Sequence, residues 1–332
     1  MRQERLPLLV TGATGFIGAH LVRSLLAAGV GPDRLRLLVR DPARAVRLGL
    51  PEGALCPGSL EDPASLRAAA QGVGAVIHLA GALAVLHREE FARTNVQGTE
   101  NLVRAVAGAS PGARFVHVSS LAAAGPSKDG TGTTSPPDAC RPCSEYGRSK
   151  LAAEAALLRA AGGLSWIVFR PPLVYGPGDA ATRLLFRQAL GPVALVPPTP
   201  RPLSLIHVRD LVHALRLGLD SDVHGVFVPV EGRDRMDTHA IVLAIAAACA
   251  RRARVLRVPL VLARGAAALW QQVARWRGRA SFFNLDKMRE VSAEGWVADA
   301  CAARRLLGFE PQVACAEGFR EVAVAEGWRA PA

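Results

Sequence analysis

Leu6-Pro-Leu-Leu-Val-Thr-Gly-Ala-Thr-Gly-Phe-Ile-Gly18 is the stretch that decides the fold. Leu6 to Val10 is a short apolar run, which is typical of a buried strand, and glycines follow it at once. Beyond the glycines, apolar residues recur at helical intervals, at Phe16, Ile17, Leu21, Val22, Leu25 and Leu26. This order of strand, glycine-rich turn and helix places bare backbone at a helix N-terminus, where a dinucleotide phosphate can rest.

Each glycine of this turn has a predicted task. One allows the tight turn, one lets a pyrophosphate approach the backbone, and one lets the helix pack against the strand. We therefore predict that the turn binds the cofactor through Gly12, Thr14, Gly15, Phe16, Ile17 and Gly18.

Strands and helices alternate through the first half of the chain. Predicted strands cover residues 34–39, 54–56, 75–79, 114–119 and 165–169, and predicted helices cover residues 63–70, 91–107 and 144–161. The alternation predicts an α/β fold, a Rossmann-type doubly wound parallel sheet with helices on both faces. Ligands of such sheets lie at the carboxyl ends of the strands, where the sequence has Gly12, Arg40, Asp62, His78 and Ser120.

The second half of the chain is less regular. Residues 122–143 are rich in Gly, Ser, Thr and Pro without periodicity, so we expect a long loop over the site, a candidate lid. Runs at 205–208 and 226–230 are predicted to be strands that return to the main sheet. We expect a nucleotide-binding domain from residues 1–180 and 204–230, and a smaller, mostly helical C-terminal substrate lobe from residues 181–203 and 231–332.

Tyr146 and Lys150 stand four residues apart, which places a phenol and an ammonium on one face of a helix. A free tyrosine, with a pKa of about 10, is a weak base at neutral pH. A nearby cation and the positive end of the helix dipole both favour the phenolate, so we expect them to lower the pKa of Tyr146. Ser120, just past the fifth strand, is placed to donate a hydrogen bond to a substrate carbonyl. These side chains supply proton transfer while a nicotinamide moves a hydride.

Six motifs follow one another along the chain: Thr11-Gly-Ala-Thr-Gly-Phe-Ile-Gly18, His78-Leu-Ala-Gly81, Asn95-Val-Gln-Gly-Thr99, Val118-Ser-Ser120, Tyr146-Gly-Arg-Ser-Lys150 and Arg170-Pro-Pro-Leu-Val-Tyr-Gly-Pro-Gly178. In this order they resemble the extended class of the short-chain dehydrogenase/reductase superfamily, the NAD(P)-dependent epimerase/dehydratase-like proteins. The resemblance covers residues 1–230 well and the remainder loosely.

The resemblance implies catalytic roles for four matched positions. Tyr146 is implied to be the general acid/base, and Lys150 to tune it and to hold the nicotinamide ribose. Ser120 takes the position that polarises the carbonyl, with Ser119 as the fallback. Asn95 is implied to lie near the nicotinamide or the substrate, and its alternative role is that of a polar residue packed within its helix.

The resemblance also implies contacts with the cofactor outside the glycine-rich turn. Leu60 and Asp62 are implied to line the adenine. The backbone of Leu79 and Ala80, followed by Gly81, is implied to meet the cofactor ribose, and Pro171, Pro172 and Leu173 are implied to flank the nicotinamide amide. His78 is expected to be a structural residue at a strand end.

The end of the second strand bears on the choice of cofactor. NAD-selective folds place an acid there to bind the ribose hydroxyls, whereas here Arg40 comes first, with Asp41 behind it and Arg44 one turn on. An arginine can pair with a 2′-phosphate and stack on adenine. The Val-Arg-Asp-Pro order also resembles the dihydroflavonol-reductase-like branch, which implies NADP. We therefore prefer NADP to NAD.

Three hypotheses about function stay open. Arg170-Pro-Pro resembles the hydroxysteroid-dehydrogenase and ketoreductase branch, which implies an oxidoreductase that interconverts a carbonyl and a secondary alcohol on a small, partly apolar substrate. Arg183, Arg187 and Arg201 are suited to a diphosphate, which keeps a sugar-nucleotide epimerase or dehydratase as the alternative. A non-catalytic NADP-binding sensor or assembly factor is the third, although such relatives typically lose the Tyr or the Lys that this chain keeps.

Composition limits the classes of partner. The formal net charge of +12 comes from an Arg- and Ala-rich chain without interleaved aromatic residues, so we expect a small-molecule substrate and no nucleic acid. Six cysteines are too few for a disulfide scaffold, and Cys140-Arg-Pro-Cys143 is only half a zinc site, so no metal is predicted. We find neither a signal peptide nor a transmembrane segment and expect a cytoplasmic protein. A homodimer, and a peripheral attraction of residues 251–279 to anionic lipid, stay open.

Overall fold

A computed structural model describes residues 6–278 and 284–329 of the chain. Its strands are β1 (Leu8–Thr11), β2 (Leu35–Val39), β3 (Leu55–Pro57), β4 (Ala75–His78), β5 (Arg114–Val118), β6 (Ser165–Arg170), β7 (Leu173–Tyr175), β8 (Ala194–Val196), β9 (Leu203–His207), β10 (Val226–Pro229), β11 (Arg235–Met236) and β12 (Val255–Arg257). Its helices are α1 (Phe16–Ala27), α2 (Pro42–Arg47), α3 (Pro63–Ala70), α4 (Glu89–Phe91), α5 (Gly98–Ala109), α6 (Leu121–Ala124), α7 (Glu145–Ala160), α8 (Ala180–Ala189), α9 (Val208–Asp220), α10 (Thr238–Ala248), α11 (Leu260–Trp276), α12 (Leu285–Val291), α13 (Cys301–Leu307) and α14 (Cys315–Ala325).

Seven parallel strands form the main sheet, in the order β10-β6-β5-β4-β1-β2-β3. The order reverses at β1, where Thr11 has Leu38 on one side and His78 on the other. Ligands of doubly wound sheets bind where the strand order reverses, at the carboxyl ends of the strands. The predicted Rossmann-type fold is confirmed.

The main sheet is buried on both faces. Side chains alternate along each strand, so Leu8 and Val10 pack in one apolar cluster with α1 and α9, while Leu9 packs in a second cluster with α3, α5 and α7. This burial explains why the strands are continuous apolar runs rather than alternating ones. A third apolar cluster joins α8, α10, α14 and β8. The division of the chain into a nucleotide-binding domain and a substrate lobe stays a prediction.

One strand prediction for the main sheet is wrong. Val226–Pro229 does join it, beside β6, but Leu203–His207 lies in a separate three-stranded sheet between β7 and β11. The prolines that end β6 let the chain turn into β7, whose edge pairs with β9 from Leu173–Leu205 to Tyr175–His207. An apolar run shows that a strand is buried but does not identify its partner.

Residues 122–143 do not form the predicted lid over the site. Arg170, at the end of β6, is fully buried and donates hydrogen bonds to the carbonyls of Thr133 (2.9 Å) and Ser135 (2.7 Å). The backbone N–H of Ser127 also donates to the carbonyl of Gly295 (3.1 Å). Of the whole segment, only Ala122 lines the cavity described below. The loop is therefore fixed to the sheet and to the C-terminal part of the chain.

The structure also bears on the cysteines, on a metal site and on membrane-spanning helices. All six cysteines have free thiols, and Cys140 is buried. Among the described residues, no group of three or more His, Cys, Asp and Glu side chains is arranged to hold a metal ion. In the same part of the chain, no helix is both long enough and apolar enough to cross a bilayer.

Candidate active site and cofactor site

The glycine-rich turn is tightly packed at two of its three glycines. Gly12 has φ +74°, and a Cβ atom there would lie 2.7 Å from the backbone nitrogen of Ala80. A Cβ atom on Gly18 would lie 2.2 Å from the carbonyl oxygen of Gly12. These two glycines allow the turn and the close approach of α1 to β1, as the sequence predicted.

Gly15 is less tightly packed than Gly12 and Gly18. It is the N-cap of α1 with φ −83° and ψ 173°, an extended conformation that any residue adopts. A Cβ atom there would lie 3.1 Å from the carbonyl oxygen of Gly12, a close contact that a small local shift relieves. Within the described residues no side chain caps α1, and no acid stands in its first turn, so the N–H groups of that turn are available to an anion. The space beside Gly15 therefore fits a phosphate.

We expect Gly15→Val to fold normally and to bind NADPH at least about 10-fold more weakly, because its side chain fills the space of the pyrophosphate. Isothermal titration of NADPH and a thermal unfolding midpoint test this. Gly53→Val is the matched control, since a Cβ atom at Gly53 meets nothing within 4 Å and that glycine lies before β3. Unchanged NADPH affinity in a folded Gly15→Val protein would contradict the assignment.

The adenine end of the predicted cofactor site lies beyond β2 and β3. Arg40 follows β2 and is exposed, whereas the carboxylate of Asp41 caps α2 by accepting from the N–H of Arg44 (2.9 Å). Asp62 follows β3 and caps α3 through the N–H of Ala64 (3.0 Å), and this hydrogen bond lowers the pKa of Asp62. Leu60 is almost buried beside α5. The adenine contacts of Leu60 and Asp62 stay predictions.

The turn after β4 is held by the side chain of Asn95. Its Oδ1 accepts from the N–H of Ala82 (2.7 Å), and its Nδ2 donates to the carbonyl of Ala82 (3.1 Å) and to Oγ of Ser149 (2.9 Å). Asn95 lies in a π-helical turn, Ala92–Gln97, within the stretch that the sequence predicted as one long helix over residues 91–107. Because its amide is used within the protein, we propose that Asn95 positions the turn and Gly81 rather than contacting the substrate.

His78 has the structural role that we expected for it. Its ring nitrogens hydrogen-bond the hydroxyls of Thr11 (2.7 Å) and Thr99 (2.9 Å), and burial lowers its pKa to about 3. It therefore stays neutral at physiological pH and ties the end of β4 to β1 and α5. This places Leu79 and Ala80, whose backbone packs against Gly12, beside the glycine-rich turn.

Tyr146 and Ser120 lie together at one wall of a cavity. Tyr146 is in the first turn of α7, and its ring packs against Phe91 at a centroid distance of 6.2 Å. Ser120 is the N-cap of α6, where its hydroxyl accepts from the N–H of Ala122 (3.1 Å), and its proximity acts to lower the pKa of the Tyr146 phenol. Ser119 is buried, and its Oγ has no hydrogen-bond partner within the described part of the chain. Ser120 therefore stays the proposed partner of Tyr146, with Ser119 as the fallback.

The expected lowering of the Tyr146 pKa is wrong for this arrangement. Burial raises the pKa of Tyr146 above its ordinary value, the Ser120 hydroxyl acts in the opposite direction, and the Glu290 carboxylate raises the pKa further. A phenolate here would lose its hydration and meet a like charge, and both effects favour the protonated phenol. Tyr146 is therefore a protonated phenol, which suits it to donate a proton.

Lys150 lies one turn along α7 and is buried. Its Nζ donates to the carbonyl of Val118 (2.8 Å), at the end of β5, and burial lowers its pKa to about 8 while Glu154 acts in the opposite direction. A Cβ atom on Gly81 would be 3.6 Å from this Nζ. Lys150 therefore reaches the turn where the nicotinamide ribose is expected, and its contact with that ribose stays a proposal.

Sequence analysis missed two carboxylates that contact the N-terminal end of α7, the helix that carries Tyr146 and Lys150. Asp286, in α12, accepts from the N–H groups of Glu145 (2.8 Å) and Tyr146 (3.3 Å) at the start of α7. Glu290, one turn later, accepts from the hydroxyl of Ser144 (2.7 Å) and pairs with Lys287 (2.7 Å). Since these residues lie far from Tyr146 in the sequence, no local pattern connects them.

A cavity of about 620 Å³ opens from Tyr146 and Ser120. Most of its lining residues are apolar, among them Leu83, Phe91, Leu121, Leu173, Leu184 and Trp296. Pro171 and Pro172, which end β6, and Phe16 and Ile17, which begin α1, line it as well. The cavity thus joins the start of α1, where the cofactor is expected, to an apolar space of the size that holds small ligands.

These residues fit a nicotinamide dinucleotide. Gly15 leaves room for the pyrophosphate at the start of α1, and the proline pair borders the cavity beside Tyr146. The fold and the site together define an NAD(P)-dependent enzyme of the extended short-chain dehydrogenase/reductase class. Residues 8–228 match the model of the NAD dependent epimerase/dehydratase family, and the chain belongs to that family.

The proteins that are similar to this chain include two whose names refer to lipids. The ceramide reductase of Caulobacter vibrioides is 36% identical over 290 residues, which cover 86% of this chain and 84% of that protein. The sterol demethylase protein B of Methylococcus capsulatus is 29% identical over 316 residues, covering 91% and 93%. The solved structure of the UDP-glucuronic acid 4-epimerase of Bacillus cereus, in complex with UDP-glucuronic acid and NAD, superposes with a TM-score of 0.75 at 18% identity, covering 97% and 99%. At that identity it shows the fold.

Proposed function

We propose that this chain is an NADP-dependent oxidoreductase that interconverts a ketone and a secondary alcohol on a largely apolar substrate. The observation that carries the proposal is the position of the Tyr146 phenol, with Ser120 beside it, at the wall of the apolar cavity. A substrate carbonyl at this wall would meet a proton donor, and the remainder of the substrate would meet apolar side chains.

The proposed roles follow from the chemistry of each group. NADPH, when bound, supplies a hydride. Tyr146 donates a proton to the carbonyl oxygen, and the Ser120 hydroxyl orients that oxygen by a hydrogen bond. Lys150 holds the cofactor ribose beside Gly81. The raised pKa of Tyr146 keeps the phenol protonated at neutral pH, the state in which it can donate a proton to a ketone oxygen.

The lining of the cavity favours an apolar substrate over a nucleotide sugar. Of the three arginines suited to a diphosphate, only Arg201 lines the cavity, and its Nη1 donates to the carbonyls of Val291 (3.2 Å) and Ala293 (2.6 Å). Arg183 pairs with Glu326 (3.5 Å) outside the cavity, and Arg187 is exposed. Three other cations of the lining face carboxylates: Arg88 faces Glu145, Lys287 faces Glu290, and Arg289 faces Asp286.

The names of two relatives agree with this preference. One relative is named a ceramide reductase and the other a sterol demethylase protein, and both names refer to lipids. The two matches cover 86% and 91% of this chain. We therefore propose a lipid-like ketone, of the ceramide or sterol kind, as the substrate class.

A panel of substrates tests the proposed function. Ketoceramide, ketosteroids and long-chain ketones in detergent are compared with UDP- and dTDP-sugars, and the consumption of NADPH is followed by its absorbance. We expect turnover with at least one lipid-like ketone. Conversion of a nucleotide sugar without conversion of any ketone would support the epimerase or dehydratase alternative, and an absence of turnover across the panel would contradict the proposal.

The proposed preference for NADP over NAD rests on Arg40 and Asp41, the two residues that follow β2. Asp41 is used as the cap of α2, so it is not directed at a ribose. Arg40 is exposed, and no carboxylate of the described residues forms an ion pair with it within 4.0 Å. An arginine in this position offers a 2′-phosphate a charge-assisted hydrogen bond.

We expect Arg40→Ala to weaken NADPH binding by about 10- to 150-fold, because an Arg–phosphate pair contributes on the order of 1.5–3 kcal/mol. NADH binding should change little. Parallel titrations of both cofactors measure this, with Arg47→Ala as the control, because Arg47 is exposed and lies 4.0 Å from Asp41. Equal losses for NADPH and NADH would instead indicate a general effect on packing.

A further inference from the structure

Helix α11 exposes an apolar stripe to solvent. Leu262, Leu269 and Trp276 follow one another at seven-residue spacing, so they share one face of the helix. Their exposed fractions are 65%, 70% and 87%. Val261 adds a further exposed side chain in the first turn, at 76%. We call Leu262, Leu269 and Trp276 the outer stripe.

The opposite face of the same helix belongs to the cavity. Ala267 is fully buried, and Gln271 and Ala274 line the cavity that holds Tyr146. Ala267, Gln271 and Ala274 are spaced four and three residues apart, which places them together and opposite the outer stripe. One helix therefore lines the cavity with small and polar side chains on one face and exposes apolar side chains to solvent on the other.

The chain around α11 is strongly and uniformly basic. Between Asp237 and Asp286 the sequence has eight arginines and no aspartate or glutamate. Arg251, Arg252, Arg254 and Arg257 precede α11, Arg264 lies in its first turns and Arg277 follows it. Within the described residues, none of these six has a carboxylate partner within 4.0 Å. This segment alone supplies a charge of +8, compared with +12 for the whole chain.

Three leucines that line the cavity are also exposed, alongside the exposed cations Arg88, Lys287 and Arg289. Leu83, Leu184 and Leu285 line the cavity and are also exposed, by 62%, 50% and 40%. Ahead of α11, Leu195 of β8 and Leu256 of β12 are register partners and are exposed by 51% and 54%. Large exposed apolar side chains beside a basic segment are typical of a surface that meets a partner.

We propose that α11 docks this protein on the surface of an anionic lipid bilayer. The outer stripe inserts its leucines and tryptophan at the boundary between headgroups and acyl chains, and the arginines pair with lipid phosphates. A second copy of the chain fits less well, because two segments of +8 would repel each other. Nucleic acid would use the arginines but would leave the leucines of the stripe in water.

Docking in this way would bring the cavity close to the lipid phase. Because α11 forms part of the cavity wall, a lipid-like ketone would leave the bilayer at the same helix that lines its binding site. This consequence rests on the proposed function, whereas the docking itself does not. Binding to vesicles is therefore measured apart from turnover, so that a failure of either proposal can be recognised.

Vesicle flotation of the full chain tests the docking. We expect binding to vesicles of phosphatidylcholine with phosphatidylglycerol at least about 10-fold stronger than to phosphatidylcholine alone, and weaker as salt is added. The Leu269→Gln/Trp276→Gln double variant should lose this binding, and Arg251→Gln/Arg252→Gln should weaken it. Leu158→Gln is the control, because Leu158 is a 40% exposed leucine of α7, outside the basic segment.

NADPH affinity and the thermal unfolding midpoint of each variant report that it is folded. No binding to anionic vesicles, or equal binding by the outer-stripe variant, would overturn the proposal. A dimer of the unmodified chain that becomes a monomer in the outer-stripe variant would assign the stripe to a second copy. Tight nucleic-acid binding that the arginine variant removes, without vesicle binding, would overturn the proposal in favour of nucleic acid.

Discussion

Replacing Tyr146 by Phe is expected to lower turnover by about 10²–10⁴-fold, the usual contribution of a general acid or base. The change removes the hydroxyl at the wall of the cavity and keeps the ring that packs against Phe91. Because burial keeps the phenol protonated, its loss removes the proton donor for the carbonyl oxygen. NADPH affinity should stay close to that of the unmodified chain, since Phe retains the packing. Single-turnover rates and NADPH titration with the substrate found in the panel measure both effects.

The chain offers a matched control for this prediction. Tyr175 is its only other tyrosine, and it is buried against His207 and Phe319, with centroid distances of 5.1 Å and 4.8 Å. Tyr175→Phe should leave turnover within a few-fold of the unmodified chain, because its hydroxyl does not line the cavity. Full activity of Tyr146→Phe would reject the proposed mechanism.

The second large effect concerns stability. We expect Arg170→Met to lower the free energy of unfolding by about 3–5 kcal/mol, because it leaves a buried charge without its partner. Both side chains of the Arg170–Glu154 pair are fully buried, and the guanidinium donates to both oxygens of Glu154, at 3.0 Å and 2.6 Å. The same guanidinium lies 4.3 Å from the centre of the Phe227 ring. Urea unfolding curves measure the loss.

A double-mutant cycle separates the destabilisation caused by an unpaired buried charge from that caused by lost packing. Removing both charges in Arg170→Met/Glu154→Leu should recover part of the loss, since no charge then stays buried and unpaired. Arg104→Met is the surface control, because the Arg104 side chain is 67% exposed where it pairs with Glu100, and it should cost less than about 1 kcal/mol. A loss for Arg170→Met as small as that for Arg104→Met would contradict the prediction.

Local patterns in the sequence predicted the main sheet well. The first strand, the turn after it and α1 are encoded within a few residues, because apolar spacing and glycine positions act on the nearby backbone. The same holds for α3, where Asp62 as cap and Pro63 in the first turn predict Pro63–Ala70, the helix found. Tyr146 and Lys150 were recognised because their spacing is fixed within one helix.

The predictions that are wrong concern contacts between residues that are distant in the sequence. The partner of β9 depends on the turn that Pro171 and Pro172 impose after β6, and the position of residues 122–143 depends on the buried Arg170. The pKa of Tyr146 depends on burial and on Glu290, which the chain brings in 144 residues later. Each of these requires the tertiary structure, because neither burial nor a long-range contact leaves a periodic signal in the sequence.

The contacts of α12 with the start of α7 tie the C-terminal part of the chain to the helix that carries Tyr146 and Lys150. A chain cut after β10 would retain Tyr146 and Lys150 but would lose Asp286, which accepts from two N–H groups at the head of their helix. Exchanging C-terminal regions between relatives would likewise require an acid that reaches the same N–H groups. A functional exchange would therefore have to carry α12 together with α7.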